Sequence, residues 1–179
     1  SGSLNCIFNG FGDGLKFSEA VLKAKDLGYT EPDPFIDLRG VDVARKLLIL
    51  VREAGIKIES SEIEFKDYLP HALPKTYDPK HFVEQLKGYD EYFEGVREMI
   101  NIKNHKLRFV AQYDKGKAII ALLEVDEKHP MYNLDGSDNV VIIHTNRYSS
   151  RPLVIHGAGA GADVTASGIF SDILSIINN

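Results

Sequence analysis

Leu107-Arg108-Phe109-Val110-Ala111-Gln112-Tyr113-Asp114-Lys115-Gly116-Lys117-Ala118-Ile119-Ile120-Ala121-Leu122-Leu123-Glu124-Val125 reads as two β-strands joined by a tight turn. Both arms, Leu107 to Tyr113 and Lys117 to Val125, are rich in aliphatic, β-branched and aromatic residues. Asp114-Lys115-Gly116 supplies hairpin chemistry between them, because glycine takes a positive φ at no steric cost. Two shorter apolar runs of strand length follow, Val140 to Thr145 and Leu153 to His156. Upstream the pattern is helical. Ser18 is placed to cap a helix, with Phe17 and Leu22 spaced as a hydrophobic staple and Gly28 suited to the helix exit. Ile56, Ile58, Ile63 and Phe65 predict a short strand, and Leu69 to Tyr77, with Pro70 and Pro74, reads as loop. Asp78-Pro79 starts a helical stretch toward Asn101 that Gly88 breaks or bends. At the far end Ala166, Ile169, Phe170, Ile173, Leu174 and Ile177 recur at helical spacing as an apolar stripe. Helices first, strands grouped and one helix last predict an α+β fold, with a mixed or mostly antiparallel sheet covered by helices, in one domain over residues 1–179.

The composition sets limits on partners. A chain of 179 residues that is 44% hydrophobic and 26% charged can bury one substantial core. A net charge of −5 with no basic stripe argues against nucleic acid or an anionic membrane as partner. No apolar run is long enough to span a bilayer, and no signal-peptide pattern is present. The single cysteine, Cys6, cannot form an internal disulfide and reads as packed, and a reduced cytoplasmic setting is the expectation. His71, His81, His105, His129, His144 and His156 lack the short spacings of a zinc site, so no metal is expected. Tyr89, Tyr92 and Phe93 read as helical packing, since the basic patch that base stacking needs is absent. No Gly-x-Ser-x-Gly elbow supports a serine hydrolase.

Two stretches carry polar chemistry. In Gly28-Tyr29-Thr30-Glu31-Pro32-Asp33-Pro34-Phe35-Ile36-Asp37-Leu38-Arg39-Gly40-Val41-Asp42-Val43-Ala44-Arg45-Lys46, four carboxylates and a lysine surround a proline-stiffened turn. Pro32 and Pro34 fix their own φ and push Glu31 and Asp33 toward extended conformations. Past Gly40, Val43, Leu47, Leu50 and Val51, with Leu48 and Ile49 between them, predict a helix with a wide apolar face. Asp37 is a candidate cap, and Asp42 in the first turn neighbours Lys46 one turn on. On residues alone this is either a surface ion pair beside a capped helix or a site for a cationic ligand. The second stretch, Gly157-Ala158-Gly159-Ala160-Gly161-Ala162, predicts a strand turning sharply into a helix whose free N–H groups face an approaching ligand, or else a purely structural turn. With the sequence running to Asn179, too little follows for a complete Rossmann βαβ unit.

Gly28 to Lys46 resembles the substrate motif of homoserine dehydrogenases: Gly-Tyr-Thr-Glu-Pro-Asp-Pro, two variable residues, Asp-Leu, then an Asp four residues before a Lys. His156 to Gly168 is similar to that family's C-terminal glycine loop and the helix it opens. Ser1-Gly2-Ser3-Leu4-Asn5-Cys6-Ile7-Phe8 resembles the family's entry helix in its bifunctional aspartokinase–homoserine dehydrogenase form. The resemblance spans the chain and implies the substrate-binding, catalytic and dimerisation domain of such an enzyme. The implied reaction interconverts aspartate 4-semialdehyde and L-homoserine by hydride transfer to or from NAD(P), on the route to threonine and methionine. Residue by residue, it implies Lys46 as proton donor with Asp42 orienting it and the substrate, and Glu31 on the substrate's ammonium group. Asp37 is implied at the hydroxyl side or behind Lys46, Tyr29 in the substrate site, and Asp33 in shaping the loop. Gly28, Gly159 and Gly161 are implied near the cofactor's nicotinamide end. Phe35-Ile36 stands where many members carry charge.

The family's Rossmann domain and the second lysine it contributes have no counterpart in this sequence. The resemblance therefore implies part of a longer protein, with the nucleotide-binding domain and an aspartokinase domain upstream, homodimeric across its sheet and inactive as this chain alone. A non-catalytic dimerisation module or an amino-acid sensor is the competing expectation.

Overall fold

The structure, a computed structural model, describes residues 1–73, 77–159 and 161–177. The helical part comprises α1 (Gly2–Gly12), α2 (Phe17–Asp26), α3 (Pro34–Leu38), α4 (Val41–Glu53), α5 (Phe82–Lys87) and α6 (Asp90–Ile102). The strands are β1 (Ile63–Phe65), β2 (Lys106–Asp114), β3 (Lys117–Val125), β4 (Asn139–Ile143) and β5 (Leu153–Gly157), and α7 (Ala162–Ile177) follows them. The fold is α+β, as the order of apolar patterns predicts.

Phe17 is the hub of the helical core. It is fully buried, stacks on Phe93 at 3.8 Å between ring centroids, and meets Phe11 edge-on at 5.5 Å, so one ring joins α1, α2 and α6. Aromatic pairs of this kind add to the area they bury. Tyr92 and Tyr89 flank Phe93 as packing residues, and the partly buried Cys6 packs against the same core.

β2 and β3 form the predicted hairpin. Their register runs from Lys106 opposite Val125 to Asp114 opposite Lys117, and the two loop residues, Lys115 and Gly116, have φ of 47° and 83°, as a type I′ turn requires. β1 adds to the other side of β3 in parallel, giving a mixed sheet in the order β1-β3-β2. Side chains alternate across a strand, so Leu107, Phe109 and Ala111 meet the helices while Arg108 points to the opposite face. There Met131 and Leu134 are buried, and the loop that carries them is held by Arg108.

That Arg108 is only 3% exposed. Its Nε donates to Met131 O at 2.8 Å and its Nη2 to Tyr132 O at 2.8 Å and Leu134 O at 3.3 Å, while Nη1 donates to Leu107 O at 3.0 Å. Burial pushes its pKa down, opposed by Asp135 and Asp13, yet a guanidinium stays charged in any case. Asn5 and Asn9 of α1 donate to the same loop, at Leu134 O, Asp135 O and Gly136 O.

Several local expectations yield to tertiary contacts. Ser18 does not cap α2: it lies inside the first turn, buried, and both its N–H (2.9 Å) and hydroxyl (2.6 Å) donate to Asp90 of α6. Lys16 precedes the helix instead, its N–H donating to Glu19. Leu22 is exposed, so no staple closes over it. Asp78 accepts the Lys80 N–H and opens a turn that its carbonyl closes with the His81 N–H, and α5 starts only at Phe82. Gly88 does separate α5 from α6. Of the predicted strand Ile56 to Phe65, only Ile63–Phe65 pairs, with Ser60–Glu62 forming a 3₁₀ turn before it. Leu69 and Leu73 are buried in a non-strand segment, as expected of the loop, while Pro74 lies outside the described residues.

The strands also do not form one sheet. β4 and β5 pair only with each other, antiparallel, from Asn139 opposite Gly157 to Ile143 opposite Leu153. All of β5 and α7 is exposed, including Ile155, Ile169, Phe170 and Ile173. The stripe predicted for α7 is therefore present on a helix that buries none of its described residues.

Replacing Arg108 by Met keeps the volume and removes its charged hydrogen bonds to the carbonyls of Leu107, Met131, Tyr132 and Leu134. The expected loss is about 3 kcal/mol or more in urea-unfolding free energy, with Arg108→Lys recovering only part of it. A Met variant as stable as the parent would show that the loop is held by something else.

Candidate active site

The exit of α2 is where the polar stretch begins. Gly28 has φ 74°, its N–H donates to Lys25 O (2.9 Å), and Tyr29 N–H donates to Ala24 O (3.0 Å). This is the paired closure of a Schellman motif, which needs a left-handed residue at the position Gly28 holds. The chain then turns at Pro32 and enters α3. Asp33 caps α3 by accepting the Phe35 N–H at 3.1 Å, and Pro34 occupies the first turn, where its missing N–H costs nothing.

Asp33 is held in turn by the Tyr77 hydroxyl, whose pKa is pushed up to about 12 by desolvation and by the Asp33 bond. Phe35 stacks on the Tyr77 ring at 4.3 Å and is buried, so the departure from the family's charged pattern at Phe35 is a core contact. Asp37 lies within α3 and is not the cap of the next helix. Its Oδ2 accepts the Glu31 N–H at 2.9 Å, so Asp37 anchors the main chain from which the exposed Glu31 side chain projects.

Gly40, with φ 69°, provides the sharp entry to α4. A Cβ there would lie 2.5 Å from the Phe109 ring, so the helix start is pressed directly onto β2. Val43, Leu47 and Val51 are buried, whereas Ile49 and Leu50 are exposed, making the packed face narrower than the apolar pattern. The opposite, solvated face carries Asp42 and Lys46 as an ion pair of 2.9 Å, with both side chains about half exposed.

At the other end of the chain, Gly161 precedes α7 and its carbonyl accepts the Thr165 N–H at 3.0 Å, leaving the first-turn N–H groups of the helix available. Gly161 has φ 137° and open space where a Cβ would be, as does Gly28. Both present bare main chain to whatever lies beside them. Gly159 differs: a Cβ there would fall 2.2 Å from Asn139 Nδ2.

Helices α1 and α4 both pack on β2, and two close approaches lead from α1 to the glycine loop. A Cβ on Gly2 would lie 2.6 Å from Ser137 O, and Asn139, two residues on, meets the glycine loop. Ser137, Asn139 and Tyr77 were not singled out by the sequence, because no short-range spacing links them to either motif.

The described residues form no dinucleotide-binding unit of the Rossmann type. The parallel strands β1 and β3 are separated by two helices and an antiparallel strand, and no glycine-rich turn follows β1, so this pair is not a Rossmann unit. Glycines at 28 and 161 leave room for a flat ring to approach the main chain. Among the described residues no group of His, Cys, Asp and Glu could hold a metal ion, and no helix is long and apolar enough to cross a membrane. Surface hollows lined by Arg52 to Glu59, and by Tyr68, Tyr92, Phe93 and Leu107, include none of the candidate site residues.

The family model of homoserine dehydrogenase matches residues 1–174. The chain is 41% identical to the chloroplastic bifunctional aspartokinase/homoserine dehydrogenase 1 of Zea mays over 98% of its length, but covers 19% of that protein. It is 41% identical to the homoserine dehydrogenase of Schizosaccharomyces pombe over 99% of its length and covers 50% of it. The chain thus spans half or less of these relatives. Among solved structures, a Candida auris protein of unknown function superposes on all of the chain with a TM-score of 0.89 and 41% identity, over 52% of that protein. A putative homoserine dehydrogenase from Archaeoglobus fulgidus superposes on 98% of the chain with a TM-score of 0.72 and 25% identity, over 48% of its own length.

The entry to α4 can be tested without any ligand. Gly40→Ala forces both a left-handed φ on a side-chain-bearing residue and a clash with Phe109, and is expected to lower stability by about 2 kcal/mol or more. Circular dichroism during chemical denaturation reads it, and an unshifted midpoint would mean that α4 does not rest on Phe109 as described.

Proposed function

Because the chain belongs to the homoserine dehydrogenase family, we propose that it is the substrate-binding and catalytic part of an NAD(P)-dependent oxidoreductase that interconverts aspartate 4-semialdehyde and L-homoserine, on the route to threonine and methionine. The observation that carries this reading is the Asp42–Lys46 pair, 2.9 Å apart on the exposed face of α4, with α3 and its anchored Glu31 immediately before it. An exposed helical pair of this kind adds only about 0.3–0.5 kcal/mol to stability, so fold stability is a poor reason for its presence.

In the proposed mechanism, Glu31 binds the substrate's ammonium group by a charge-assisted hydrogen bond. Asp37 keeps the Glu31 main chain in place, and Tyr29, two residues before Glu31, is proposed to border the substrate. Lys46 donates a proton to the carbonyl oxygen in the direction of reduction and takes it back from the hydroxyl in oxidation. Asp42 holds the Lys46 amine toward the substrate. The nicotinamide, when bound, supplies or accepts the hydride at the adjacent carbon. Gly28, Gly159 and Gly161 are the positions of this chain proposed to border it.

The remainder of the nucleotide site is proposed to belong to a separate nucleotide-binding domain, and an aspartokinase domain to the same parent protein, by analogy with the bifunctional relatives. A cytoplasmic setting and a homodimer complete the proposal. The dimer is supported by the exposed apolar side chains of β5 and α7, an extent of apolar surface that marks an interface.

The decisive experiment joins the chain to a homoserine dehydrogenase nucleotide-binding domain. In that protein Lys46→Ala is expected to lower kcat roughly 100- to 10,000-fold with folding unchanged, whereas unaltered turnover would remove Lys46 from the mechanism. The chain alone is expected to show no NAD(P)H-dependent reduction of aspartate semialdehyde. Sedimentation equilibrium of the 20.0 kDa chain tests the dimer, with twice that mass expected and a concentration-independent monomer ruling it out.

A further inference from the structure

Residues Ser137-Asp138-Asn139 touch three things at once. Ser137 O sits where Gly2 at the start of α1 has no room for a Cβ, 2.6 Å from its ideal position. Asp138 Oδ2 is 3.0 Å from His156 Nε2, on the strand that leads into the glycine loop. Asn139 closes the β4–β5 ladder opposite Gly157, and its amide lies across Gly159, within 2.2 Å of where a Cβ would stand and 2.5 Å with its Cγ. Its Nδ2 also donates to Ser137 O at 3.4 Å. The segment is thus a strut between the first turn of α1 and the glycine loop, and α1 packs on β2, the strand on which α4 with Asp42 and Lys46 also rests.

We propose that Asn139 is a positioning residue for the glycine loop: its side-chain amide, seated on the bare Cα of Gly159, fixes Gly157, Gly159 and Gly161 relative to the Asp42–Lys46 face. This rests on the dehydrogenase reading for its consequence, namely the distance kept between the nicotinamide-binding edge and the proton-carrying lysine. Geometry of this kind acts by orientation, so its loss is felt in binding and alignment without any change in the reacting groups. It also explains the glycine at 159 specifically. Gly28 and Gly161 have open space where a side chain would go, whereas at 159 that space is filled by the Asn139 amide.

Two measurements test it, one independent of turnover. In the 179-residue chain, ¹⁵N relaxation of the amides of Gly157, Gly159 and Gly161 is expected to show an ordered loop that becomes mobile on the ps–ns timescale in Asn139→Ala. An unchanged loop overturns the proposal. In the protein joined to a nucleotide-binding domain, Asn139→Ala is expected to raise KM for NAD(P) about tenfold with kcat within about twofold. Gly159→Ala, which must displace the same amide, is expected to raise that KM as well, and the double variant to raise it no further than the more severe single one. Additive effects, or an unmoved cofactor KM, overturn the positioning role. If the unsubstituted joined protein shows no turnover, the dehydrogenase reading falls, and loop order in the isolated chain alone decides whether Asn139 holds the loop.

Discussion

Arg108 is a buried cation that, among the described residues, meets no carboxylate directly and is satisfied by main-chain carbonyls, three of them in the loop that follows the hairpin. Leu134 O also receives Asn5 and Asn9 from α1, so helix, sheet and loop are tied at one oxygen. Such bonds are strong because the donor is charged and the surroundings exclude water. The path of the chain beyond residue 125 depends on this fixing. It sets where residues 137–139 emerge beside Gly2, and hence where β4, β5 and the glycine loop project.

What projects is unlike the rest of the molecule. The helical core closes on Phe17 and the sheet face on Phe109 and Ile120, with buried side chains throughout. β5 and α7 bury none of theirs, although α7 carries Val164, Ile169, Phe170, Ile173 and Leu174. A helix this apolar and this exposed is of the type that lies inside a larger assembly.

The legible parts of the sequence were those governed by local rules. Asp114 to Lys117 fixes a two-residue turn through backbone preferences alone, and Gly28, with its positive φ, ends α2 for the same reason. Polar residues were harder to read. Ser18, Asp37 and Asp78 each have the chemistry of a helix cap, and each uses it elsewhere: Ser18 on Asp90, Asp37 on the Glu31 N–H, Asp78 on a turn. A carboxylate or hydroxyl serves whichever donor or acceptor the fold brings within reach, and partners 72 residues apart, as Ser18 and Asp90 are, leave no local pattern.

The order of residues determined the α+β class, the hairpin, the family and the pairing of Asp42 with Lys46, since helix period and turn chemistry act over a few residues. Tertiary structure alone decided that the strands split into two sheets, that Asp37 steadies Glu31, and that Asn139 reaches Gly159. These depend on contacts between segments whose separation in sequence carries no signal, made only once burial has chosen which surfaces meet.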